Sequence, residues 1–121
     1  MNHIVLKFLT SDYATCCNAI FSGLEQETKI GNSCSPVPGF TVRLEDVVSA
    51  KGIHDTSPSF ILELILTLSG GIATNIVSSW LYDICKKNNI KKVILDQTEV
   101  SVEIRKIDNA LTLIVSHIKR T

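Results

Sequence analysis

The sequence predicts a single α+β domain: an antiparallel sheet with two helices over one face and an added C-terminal β-hairpin. Three observations predict it. Residues 3–9 and 59–68 place their apolar side chains at the period of a strand. The spacing changes to steps of three and four after Asp12 and again after Gly71. Clusters of turn formers separate the segments.

In the first strand Ile4, Leu6 and Phe8 fall on one side and Val5, Lys7 and Leu9 on the other. Thr10-Ser11-Asp12 offers a helix cap, and Tyr13, Cys16, Cys17, Ile20, Phe21 and Leu24 then predict an amphipathic helix ending near Gly31. Residues 31–39 are rich in Gly, Asn, Ser and Pro and predict an ordered loop, since neither Pro36 nor Pro38 has an amide to give a ladder. Phe40, Val42 and Leu44 predict a second strand, followed by a polar connection over 51–58. Phe60, Leu62, Leu64, Leu66 and Leu68 alternate with Ile61, Glu63, Ile65 and Thr67, a strand period that a membrane-spanning helix has no reason to keep. Ser69-Gly70-Gly71 breaks that run. Ile72, Ala73, Ile76, Val77, Trp80, Leu81 and Ile84 then predict a helix to about Lys87, with Asn75, Ser78, Ser79, Tyr82 and Lys86 on its polar side. Lys86, Lys87 and the Asn88-Asn89 pair suit its C-terminus. Val93–Leu95 predicts a short fourth strand. Val100, Val102 and Ile104 followed by Asp108-Asn109 and Leu111, Leu113 and Val115 predict the hairpin, although Ile107, Leu111, Ile114 and Ile118 also keep helical spacing.

Strand, helix, strand, strand, helix, strand is the ferredoxin-like βαββαβ order. It makes the first and third strands the central pair and puts both helices on one face. The other face then carries Val5, Lys7, Ile61, Glu63 and Ile65, too apolar for plain solvent and too charged for a core, so the hairpin or a partner should cover it. The same order puts Ser69-Gly70-Gly71 near Asn32, Ser33, Cys34 and His3, and His54 and Asp55 at the opposite end with Ser11 and Asp12.

A chain of 121 residues fits one domain able to bury about two thirds of its unfolded surface. Apolar residues make up 45% of it, and 12 Lys plus Arg balance 12 Asp plus Glu, which excludes a disordered polyelectrolyte and a broadly basic nucleic-acid binder. Met1-Asn2-His3-Ile4 has no charged leader before an apolar run, and the four cysteines form no regular framework, so a reducing cytoplasm and no membrane are expected.

No convergent nucleophile, base or metal set stands out, so a non-enzyme without cofactor or metal is expected. Ser69, Gly70 and Gly71 could cradle an anion at a helix start, but the signal is weak and a tight strand-to-helix turn, which explains the glycines by itself, is the favoured reading. Cys34 with His3 would be the one nucleophile–base pair. Cys16, Cys17 and Cys85 read as small core residues. Lys86, Lys87, Lys91 and Lys92 read as a solvated helix end, and Glu63 as a solvated or partner-facing acid.

Residues 64–71, then Ser78-Ser79-Trp80-Leu81-Tyr82, a lysine-rich turn and Val93-Ile94-Leu95 resemble the strand, Ser-Gly-Gly, helix, strand layout of small α/β effector-associated domains of bacterial conflict systems. As a small, neutral, Ile, Asn and Lys-rich domain, the whole chain is similar in profile to immunity proteins of contact-dependent growth inhibition. Both resemblances imply a protein that works through a surface. The expected function is binding and occluding a cognate bacterial toxin, a nuclease being the expected case. Phosphate mimicry would then draw on Glu45, Asp46, Asp55, Asp96, Glu99, Glu103 and Asp108, with Ile61, Glu63 and Ile65 as the alternative contact face. An adaptor domain of a conflict system is the second reading. A ferredoxin-like small-ligand regulatory domain, using the Gly70-Gly71 turn and Asn32, is the third. The oligomeric state is left open.

Overall fold

The computed structural model describes residues 2–21, 29–49, 59–69 and 72–119. Its elements are β1 (Asn2–Thr10), α1 (Tyr13–Ile20), β2 (Ser33–Val37), β3 (Phe40–Ser49), β4 (Phe60–Leu68), α2 (Thr74–Lys87), β5 (Lys92–Leu95), β6 (Thr98–Ser101) and α3 (Ile104–Lys119). The strands form one antiparallel sheet in the order β2-β3-β4-β1-β5-β6, so the fold is α+β. The two richest alternations, β1 and β4, lie side by side at its centre, in register from Asn2↔Leu68 to Thr10↔Phe60. Alternation sends Ile4, Leu6 and Phe8 of β1, Leu62, Leu64, Leu66 and Leu68 of β4, and Phe40, Val42 and Leu44 of β3 into one core. Cys16, Cys17 and Ile20 of α1, Val77, Leu81, Ile84 and Cys85 of α2, and Ile107 and Leu111 of α3 complete it.

Local chemistry accounts for the helix ends. Asp12 caps α1: its carboxylate accepts the Thr15 N–H at 3.1 Å and the Thr15 hydroxyl at 2.6 Å, which holds the Asp12 carboxyl below its ordinary pKa. Asn88 caps α2 through its N–H and side-chain amide, both donated to the Ile84 carbonyl, and Asn89 takes the left-handed conformation at φ 56°.

Four expectations are corrected. The first helix closes at Phe21, whose N–H donates to the Cys17 carbonyl, and by Gly31 the chain already bonds to Leu44 of β3. Residues 22–28, the connection 51–58 and the glycines of the Ser69 turn lie outside the described residues. The expected loop over 31–39 contains the strand β2. Pro36 is accommodated because β2 is an edge strand whose pairing skips from Cys34↔Val42 to Val37↔Phe40. On α2 the buried face is rotated: Ser78 is fully buried while Ile76 is 43% exposed. Ser78 is tolerated inside because its one hydroxyl proton is shared between the Thr74 carbonyl at 2.8 Å and Asp108 Oδ1 at 3.1 Å.

The fourth correction is the C-terminus. There is a hairpin, but β5 and β6 make it, turning at Asp96-Gln97, and residues 104–119 form α3, so three helices rather than two are present among the described residues. Helical spacing wins because it buries Ile107 and Leu111 against α2, whereas the strand set would treat Leu111 and Leu113 alike and Leu113 is 71% exposed. Asp108, expected in a turn, lies inside that helix facing Ser78.

Candidate functional site

The side chains between the core positions share the opposite face of the sheet, and the register sets them in rows. Val48, Ile61 and Leu9 form one row. Asp46, Glu63 and Lys7 form the next, continued by Ile94 and Glu99. Arg43, Ile65 and Val5, then Thr41, Thr67 and His3, complete the face. Val48 enters this face through a β-bulge between Leu44 and Asp46, which shifts the phase of β3 and turns Val47 toward the core instead. Leu9 is 60%, Val48 48% and Ile94 39% exposed, an apolar surface beside a charged row in which Lys7 Nζ lies 3.5 Å from Glu63 Oε1.

The face has two concavities. At the margin reached by α3, Leu113, Ile114 and His117 share a groove of about 730 Å³ with Val5, Lys7 and Glu63. At the other end a cleft of about 530 Å³ opens between Leu9 and Ile61 on one side and Ile94 on the other.

The expected contact residues divide accordingly. Ile61, Glu63, Ile65 and Asp46 are brought together on this face, and Glu99 joins them through its register with Ile94. Glu45 stands in the bulge, 2.6 Å from Arg43, and Asp46 accepts the Val47 N–H. Asp96 sits in the β5–β6 turn and accepts the Val5 N–H, Glu99 lies 3.2 Å from Lys92, and Glu103 lies 2.7 Å from Lys106. Asp108 is turned toward α2. These carboxylates are thus spread over several surfaces, each with a local cation or donor, while Asp55 lies outside the described residues.

The anion-cradle residues have another use where they are described. Ser69 donates its N–H and its hydroxyl to the Gly39 carbonyl, at 2.9 and 3.1 Å, tying the end of β4 to the β2–β3 turn. Gly39 stands at φ +88°, and a Cβ there would come within 2.9 Å of Ser69 Oγ. Gly70 and Gly71 lie outside the described residues. The expected closeness of Ser69 to Asn32 and Cys34 does not hold, because β2 runs back along β3 and carries Ser33 to Arg43 and Cys34 to Val42.

Cys34 and His3 are on opposite faces. Cys34 donates its thiol to the Ile20 carbonyl beneath α1, and His3 Nδ1 lies 3.2 Å from the Thr67 hydroxyl on the open face. Burial pushes the Cys34 thiol up, and drives those of Cys16 and Cys85 up to about 12, which suits inert core groups. Among the described residues no group of three or more His, Cys, Asp or Glu side chains is placed to hold a metal ion, and no helix is long and apolar enough to cross a membrane.

Leu9, Val48 and Ile94 were missed as contact residues. The signal for Leu9 and Ile94 was present, since each is the apolar member on the less buried side of its strand; Val48 was hidden by the bulge. No family model, curated protein or solved structure matches this chain.

Proposed function

We propose that this chain acts by binding another protein through the open face of its sheet, in the manner of an immunity protein that covers the working surface of a cognate toxin. The observation that carries the reading is the exposed apolar set Val48, Leu9 and Ile94, with half-buried Ile61 between them, beside the Asp46, Glu63 and Lys7 row. Exposed apolar surface rimmed by charge is what a protein partner desolvates: the apolar row supplies affinity and the charged row fixes register. The inner strands β5-β1-β4-β3, with α1 and α2 as their connections, support a ferredoxin-like unit extended at its edges by β2 and β6.

The test is protection. The reading expects a toxin gene beside this one; co-expressed with that toxin, the wild-type chain is expected to restore growth, and Leu9→Asp/Ile61→Asp to lose protection while keeping the wild-type thermal transition. Growth arrest in the presence of wild type overturns the toxin reading. Full protection by the double variant overturns the choice of face.

A further inference from the structure

The β1–β5 ladder consists of Leu6↔Leu95 and Lys7↔Ile94 and stops there, although β1 continues through Phe8 and Leu9 to Thr10 and β5 begins at Lys92. The cleft of about 530 Å³ lies where the pairing ends. Its apolar walls are Phe8, Leu9 and Ile61 on one side and Ile90, Val93 and Ile94 on the other. Phe8, Ile90 and Val93 are core residues at 3%, 5% and 1% exposure, so the cleft runs from the open face down to the core. Its volume falls within the range of small-molecule sites, about 300–1,000 Å³, and its composition, mostly apolar with few polar groups, is theirs too.

The polar groups have one sign in excess. Lys7, Lys91 and Lys92 line the cleft against the carboxylate of Glu99. Lys92 is partnered by Glu99 and Lys7 by Glu63, whereas Lys91 has no ion-pair partner among the described residues. We infer that the cleft is a binding site for a small amphiphilic carboxylate, its apolar tail between Phe8 and Val93 and its carboxylate on Lys91. An ammonium-bearing ligand would face the same lysines and be repelled, and a neutral one would leave Lys91 unused. A carboxylate gives this exposed cation a charge partner at the mouth of an apolar cleft.

Octanoate is the probe, with 1-octanol and acetate as partial ligands, followed by amide chemical shifts of the full chain. Octanoate is expected to shift Leu9, Ile61, Val93 and Ile94 saturably, with 1-octanol weaker and acetate without effect. Lys91→Glu should weaken octanoate by about tenfold or more and leave 1-octanol unchanged, because it removes one charge-assisted bond and sets a like charge in its place. Leu9→Trp, at a largely exposed wall position, should block both. Absence of saturation, shifts centred on the α3 groove, or octanoate binding equal to that of 1-octanol and indifferent to Lys91→Glu would each overturn the assignment. Loss of a protein partner on Leu9→Trp without octanoate binding would do so as well, by giving the cleft to the protein interface.

Discussion

Asp96 holds Val5 by both of its faces: its backbone N–H donates to the Val5 carbonyl at 2.7 Å, and its carboxylate accepts the Val5 N–H at 2.9 Å. The residue turns the β5–β6 hairpin at φ 57° and in doing so continues, for one more position, the pairing of β1 that β5 itself does not supply. A carboxylate read from sequence as a contact for a basic partner thus has a structural duty. Asp96→Ala is expected to lower stability by about 1–2 kcal/mol, since the Val5 amide loses its acceptor. Asp96→Asn should keep most of it, because the amide oxygen still accepts and Asn tolerates positive φ. Urea unfolding checks this; equal loss in both variants would show that the acceptor is not what matters.

Ser78 and Asp108 join α2 to α3 inside the protein. Each alanine substitution should cost about 1 kcal/mol, and the double variant less than the sum, because either single change already breaks the shared bond. Strict additivity in a double-mutant cycle would contradict the pairing.

The two faces of the sheet should answer differently to the same kind of change. Leu64 is fully buried, and Leu64→Ala is expected to cost about 2–5 kcal/mol. Leu9, on the opposite face of the same sheet and 60% exposed, should tolerate Leu9→Ser within about 0.5 kcal/mol. Similar losses at both positions would mean that the open face is covered in the free protein.

The buried thiols set a pH dependence. Cys16 and Cys85 are raised by burial from the ordinary value of 9.0 to about 12. Above pH 9 the unfolded chain releases these protons while the folded one retains them, so this contribution to stability is whole below pH 9 and is lost as the pH rises toward 12. The Cys16→Ala/Cys85→Ala variant is expected to be less stable than wild type at pH 7 and to lose less between pH 9 and 11. Every other titratable group is common to the two proteins, so the difference in slope isolates the thiols. Identical slopes would count against their burial.

What the sequence by itself determined was everything that repeats over a few residues. The alternations of Ile4, Leu6 and Phe8, of Phe40, Val42 and Leu44, and of Leu62, Leu64 and Leu66 produced strands, the Asp12 cap started α1, and Asn88-Asn89 ended α2. Periodicity and capping act within one or two turns of chain and need no partner to be legible. What tertiary structure decided was phase and company. Residues 104–119 carry apolar positions that serve a strand or a helix, and α2 with the end of the sheet offered a surface only a helix could fill. The bulge at Glu45 sets Val48 on the open face, where unbroken alternation from Leu44 would have turned it inward. Pro36 became part of a strand because that strand borders the sheet. The site followed the same division: Ile61, Glu63 and Ile65 were legible from alternation, but the cleft beside Leu9 and Ile94 exists because β1 and β5 stop pairing after Lys7 and Ile94. Where two distant strands cease to pair depends on turns and helices that pull each of them elsewhere, and no short-range pattern encodes that balance.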